Sequence, residues 1–302
     1  MNLTVENTKC GLGDMLHRID TIYRYCVKYG HIFHMPDISS NLHNSNYDEL
    51  LGITNYQPHR RDWKHKVRVV GLRDLVAEST ESKDTNDNHL ISVAYDHAFS
   101  KDFRTSNNLD AIPRLDYSPY LNLLKEHIPK KNIDVLLHLR MGDSYIYQLD
   151  HENFFNSRYR KISKYSEIPP KDIREQWSIN DVLEIVQHCN IKGLSYKILC
   201  DGVESIHRHL RWTKDEQTIN FKNDIVFSAN KFESELLDTF KENKNFIYGS
   251  NDVAGAILDV LSSKLIIFTT GGFAVGINKF LSPQPSKYTQ IKGYLDEIKL
   301  LD

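Results

Sequence analysis

The sequence predicts an α/β fold of two Rossmann-like domains, each built on a mostly parallel sheet. Three observations predict it. The chain has 302 residues, more than one hydrophobic core commonly supports, so two domains of about 150 residues each are expected. Its opening reads as strand, glycine loop, helix and strand, the βαβ unit of parallel sheets. After Pro129 the pattern restarts with an apolar run and then alternates helical and extended segments. Pro129-Lys130-Lys131-Asn132 reads as an exposed hinge, which places the domains at residues 1–129 and 130–302.

In the first domain, Leu3 to Val5 is a short strand, followed by the loop Cys10-Gly11-Leu12-Gly13-Asp14. A helix over 14–29 is predicted from Leu16, Ile19, Ile22, Tyr23 and Cys26, spaced to share one face, and Gly30 ends it. Residues 31–35 form a second strand, stopped by Pro36-Asp37. The stretch 39–88 is polar and irregular, with 67–72 its one clear strand, and 89–95 is another. Residues 100–120 read as loop-rich, and 120–127 as a short amphipathic helix.

In the second domain, Ile133-Asp134-Val135-Leu136-Leu137-His138-Leu139 suits a parallel strand buried on both faces. Residues 144–176 are polar and aromatic and read as a loop over a cleft. Ser178 is a reasonable N-cap for a helix running to about Cys189. Tyr196 to Cys200 is a strand ending at Asp201-Gly202. Helices near 204–211, 230–242 and 251–263, with strands at 246–248 and 265–269, complete the alternation.

Lys and Arg number 38 against 40 Asp and Glu, a formal net charge of -2. Bulk nucleic acid is therefore not an expected partner, and any bound anion must be held by a local site. The N-terminus lacks a basic segment followed by an apolar one, and no window has the ~18 consecutive apolar residues of a membrane span. A cytoplasmic chain without a transmembrane segment is expected. Four cysteines, scattered and without a CxxC pair, read as free thiols.

In open parallel sheets, ligands bind where strands end. Arg140 follows the most hydrophobic strand, where a guanidinium is costly to bury without an anion. It is read either as a fork for phosphate oxygens or as a salt-bridge partner of Asp143 or another carboxylate. Thr269-Thr270-Gly271-Gly272 is either an anion nest or a tight strand-to-helix turn with a threonine cap. Asp201 is either an acceptor for a ribose or base, or a helix N-cap. His138 either bonds a ligand or is a buried histidine satisfied by backbone. Gly11-Leu12-Gly13 alone is a weak signal. The aromatics Tyr145, Tyr147, Phe154, Phe155, Tyr159, Tyr165 and Trp177 read as loop packing ahead of a sugar-stacking surface.

His138-Leu139-Arg140-Met141-Gly142-Asp143 resembles the His-x-Arg-x-x-Asp motif of the fucosyltransferase superfamily, which includes α1,2- and α1,6-fucosyltransferases and protein O-fucosyltransferases. Gly11-Leu12-Gly13-Asp14 is similar to that family's N-terminal Gly-Leu-Gly-Asn loop. Tyr196 to Asp201 resembles its middle motif, and Ala256 to Ser262 through Gly272-Phe273 its last. Asp14 stands where Asn is usual, Met141 where many members carry a second Arg, and Gly271 and Gly272 where serines are usual. Asp259 does not fall at the spacing of the family's base-binding carboxylate.

The resemblance implies a GT-B-like fold, its two Rossmann-like domains facing a cleft, with the C-terminal domain holding a nucleotide-sugar, most plainly GDP-fucose. It implies inverting transfer to a hydroxyl of a glycan or glycoconjugate acceptor, without metal or cofactor. Arg140 and the amides at Thr270 to Phe273 would stabilise the departing diphosphate. Asp143 would orient the motif loop, and Asp14 or Glu152 is the candidate general base. The implied donor-binding set is Gly11, Leu12, Gly13, His138, Arg140, Asp143, Asp201, Thr269, Thr270, Gly271, Gly272 and Phe273. Two other readings stand beside this one. One is the same fold with another donor, a different GDP-sugar or a heptosyl- or sialyl-type nucleotide-sugar. The other is a degenerate transferase kept as a glycan-binding module.

Overall fold

The computed structural model describes residues 1–6, 11–36, 67–75, 90–95, 97–117, 130–141, 177–202, 216–249, 253–269, 273–282, 284–294 and 297. The helices expected at 120–127 and 204–211 and nearly all of the 144–177 aromatic segment lie outside these residues, as do Cys10, Asp143, Glu152, Thr270, Gly271 and Gly272. The chain divides into two units. One comprises Met1–Pro129 with Val275–Pro285, the other Lys130–Ala274 with Ser286–Asp302.

The first unit contains β1 (Asn2–Val5), α1 (Leu12–Tyr29), β2 (Ile32–Phe33), β3 (Val67–Gly71), β4 (Leu90–Ala94) and α2 (His97–Ser106), with a 3-10 turn at Leu109–Ala111. Its sheet has the order β2-β1-β4-β3, and every pairing is parallel. Helix α1 starts earlier than its apolar spacing suggests. Gly11 is extended (φ -66°, ψ 156°), and its carbonyl accepts the first helical bond from the Met15 N–H at 3.0 Å. The apolar set Leu16, Ile19, Ile22 and Cys26 is buried as expected, but so are Arg18, Asp20, Thr21 and Arg24. The helix is thus enclosed on more than one side, and its polar residues must find partners within the unit.

Helix α2 corrects the expectation of a loop over residues 100–120. Its sequence is mostly polar, but Phe103 is buried and lies against Tyr25, with ring centroids 5.3 Å apart. One deeply buried aromatic and a buried guanidinium at Arg104 anchor it, so tertiary packing supplies what local pattern lacks.

The second unit contains β5 (Ile133–Leu139), α3 (Ile179–Lys192), β6 (Tyr196–Cys200), α4 (Glu216–Phe240), β7 (Phe246–Tyr248), α5 (Val253–Leu261), β8 (Ser263–Phe268), the start of α6 (Phe273–Leu281), and β9 (Lys287–Gln290). All strands run parallel in the order β7-β6-β5-β8-β9. Ser178 caps α3 in a capping box with Asp181. Val135, Leu137, Leu139, Ile198 and Ile267 from the central strands meet Val182 and Ile185 of α3 in the core. Trp177 belongs to that core, edge-on to Phe232 at 5.2 Å, so this member of the aromatic segment serves packing.

Two elements here exceed the sequence reading. Helix α4 spans Glu216–Phe240, where only 230–242 was expected. Strand β9 is polar and mostly exposed along its length, as an edge strand can be, and carries no apolar signal. Cys26, Cys189 and Cys200 are buried free thiols. Burial pushes the Cys26 thiol up to about 12 and the Cys189 thiol up to about 11. Among the described residues no helix is long and apolar enough to cross a membrane.

Candidate functional site

The second unit's chain order fixes where a ligand crevice forms. The sheet grows outward from β5 to β6 to β7, then returns to the other side of β5 as β8 and β9. The direction of growth reverses between β5 and β8, and a doubly wound sheet opens its crevice at the carboxyl ends of such a pair. His138 and Phe268 are register partners there, and Arg140 and Thr269 are the next residues out.

The main chain at this point is clamped from both neighbouring strands. The Thr269 N–H donates to the His138 carbonyl at 3.2 Å, and the Asp201 N–H to the Leu139 carbonyl at 3.3 Å. The Arg140 N–H donates to Thr269 Oγ1 at 2.9 Å, and the Met141 N–H to Asp201 Oδ1 at 2.7 Å. Two consecutive amides just past β5 are therefore held by side chains from the ends of β8 and β6. Thr269 is fully buried, and Met141 is inserted in the core. Arg140 itself is half-buried. Gly202 completes the β6 end in a left-handed conformation (φ 70°), and a Cβ there would lie 2.7 Å from the Tyr248 hydroxyl.

His138 is buried, and its ring stacks on Phe273, with centroids 5.7 Å apart and planes 23° from parallel. That stack holds the first residue of α6 beside the β5 end. Its Nδ1 is buried with no hydrogen-bond partner among the described residues. Burial, and secondarily the Arg140 charge, lower the imidazole pKa to about 4, so the ring is neutral at pH 7. A neutral ring does not repel the Arg140 guanidinium beside it.

The structure thus brings together His138, Arg140, Asp201, Thr269 and Phe273. It divides their work in a way the sequence did not show. Thr269 and Asp201 each use an oxygen to hold the motif backbone, across 129 and 60 residues of sequence respectively. Asp259 pairs with Lys197 at 2.6 Å.

The remaining described candidates are in the first unit. Gly11 caps α1, Asp14 is exposed in its first turn, and Leu12 is a core residue with 1% exposure. Gly13 is buried against α6, where a Cβ on Gly276 would come within 2.6 Å of the Gly13 Cα. Gly13 thus permits a close helix crossing, and its partner Gly276 was missed because nothing local marks a glycine in an apolar helix as a contact point.

No model of a known protein family matches the chain, and no curated protein is significantly similar to it in sequence.

Proposed function

We propose that the chain is an inverting glycosyltransferase with the GT-B arrangement of two domains facing a cleft, taking its sugar from a nucleoside diphosphate carrier. The resemblance of its motifs makes GDP-fucose the donor to test first, and a hydroxyl of a glycan or glycoconjugate the acceptor. The observation that carries the reading is the placement of Arg140. It follows the first strand of a doubly wound sheet, at the reversal point, on a main chain fixed by Thr269 and Asp201.

Glycosyl transfer builds negative charge on the leaving diphosphate. A guanidinium on a rigid backbone stabilises that charge without having to reorganise as it forms. The first turn of α6, beginning at Phe273, adds N–H groups that have no partner within the helix, the partial positive charge of a helix start. Neutral His138 contributes a hydrogen-bonding nitrogen without repelling Arg140, and its unpartnered Nδ1 suits a polar ligand group.

The test is release of fucose from GDP-fucose, or its transfer, by wild type and Arg140→Ala. Turnover should fall by roughly two to three orders of magnitude, the scale seen when one donor to a developing anion is removed. Wild-type turnover in the variant would end the assignment of Arg140. A thermal-shift panel of GDP, UDP, ADP and CMP separates the possible donors, since a nucleotide at ~100 times its Kd stabilises by about 2.7 kcal/mol.

A further inference from the structure

The first unit carries a cavity of about 480 Å³ whose charged lining is Arg24, Arg104, Arg114, Lys279 and Asp110. Four of its surrounding groups form a closed, neutral frame. The Asp20 carboxylate, with no exposure, lies 2.9 Å from Arg24 Nε and 3.6 Å from Arg104 Nη1. Asp110 is bound by Arg104 Nη2 and lies 3.8 Å from Arg24 Nη1. Arg24 also donates to the Leu109 carbonyl at 3.0 Å, and Arg104 to Thr21 Oγ1 at 3.3 Å. Two guanidiniums are thereby locked in place by buried partners, Arg24 in the second half of α1 and Arg104 in the last turn of α2.

Two further cations stand outside that frame. Arg114 donates Nη1 to the Lys279 carbonyl at 2.8 Å, which brings the two residues together. The Lys279 ammonium lies 5.2 Å from the Phe280 ring centre. Among the described residues neither is in an ion pair with a carboxylate. Burial, then the Arg104 and Arg114 charges, lower the Lys279 pKa. An ammonium held among like charges and partly desolvated is stabilised by any anion that enters. Among the described residues the uncompensated charge in the cavity is two positive units, which matches a phosphate dianion. The Asp110 side chain is 70% exposed while bound to Arg104, so it can turn to solvent and yield that guanidinium at little cost.

We propose that this cavity binds the phosphate group of a small soluble ligand, with Arg114 and Lys279 supplying the counter-charge and Asp110 a displaceable stand-in for the phosphate on Arg104. The site is independent of the donor reading, because none of its residues belongs to the donor-binding set.

The test is calorimetric titration with inorganic phosphate, against sodium chloride of equal ionic strength, on the full chain carrying Arg140→Ala so that the proposed donor site is silenced. Phosphate should bind in that background. Adding Arg114→Gln with Lys279→Gln should weaken it by about tenfold or more, and adding Asp110→Asn instead should tighten it several-fold. Should the double substitution unfold the chain, exposed Arg114→Gln alone and Asp110→Asn keep the test intact, with opposite expected signs. Unchanged affinity in the Arg114 variant, or weaker binding in Asp110→Asn, overturns the proposal. So does binding confined to vesicles of phosphatidic acid with none to free phosphate, which would make the surface a membrane contact instead.

Discussion

His138 shows how one residue ties the site to stability. An unfolded histidine takes a proton near pH 6.5, whereas His138 in the folded chain does so only near 4. Between those values the unfolded state holds more protons, so the contribution is intact above pH 6.5 and is lost as pH falls toward 4. By pH 4.5 the loss from this residue is roughly 2–3 kcal/mol. His31 and His34, whose pKa values burial also lowers, add to the same trend. Urea denaturation at pH 7.5 and 4.5 should therefore show a smaller acid loss in His138→Gln than in wild type. An identical loss in both proteins would mean the imidazole is not held neutral by burial. The position of this residue was legible in the sequence, as the last-but-one residue of an apolar strand. Its stacking on Phe273 was not, because that partner is distant in sequence and the pairing depends on how β5 and α6 meet in space.

At the scale of elements, the crossing of α1 and α6 makes the sharpest demand. A methyl group on Gly276 would meet the Gly13 backbone at 2.6 to 3.3 Å, and main chain cannot swing aside as a long side chain can. Gly276→Ala gains about 1 kcal/mol of helix propensity, but overpacking typically costs 1–3 kcal/mol, and here the clash is with backbone. A net loss of about 1–2 kcal/mol in chemical denaturation is expected, with Gly276→Val losing more. A variant as stable as wild type would mean the helices are not pressed together at this point. Elements with a strong apolar period, α1, β5, β6 and β8, were legible in the sequence. Helix α2, the first half of α4 and strand β9 were not; α2 is anchored by the buried Phe103 and Arg104, and β9 is a polar edge strand held by its ladder to β8.

Over the whole molecule, a formal net charge of -2 hides a local concentration of positive charge in the first unit. The phosphate cavity has no sequence motif, because Arg24, Arg104, Arg114 and Lys279 are drawn from separate segments, and Val275–Pro285 groups with the first unit only through tertiary contact. Arg140 was legible because it ends a strand whose burial its composition announces, and because parallel sheets place ligands at strand ends. The hydrogen bonds that fix it were not, since Thr269 and Asp201 reach it from neighbouring strands. The proposed role of Arg140, to receive a nucleotide's pyrophosphate, is decided by comparing GDP with GMP in calorimetric titrations of wild type and Arg140→Ala. Wild type should prefer GDP by about tenfold or more, the worth of a charge-assisted contact to the second phosphate, and the preference should collapse in the variant. The same preference for GDP in both proteins would contradict it.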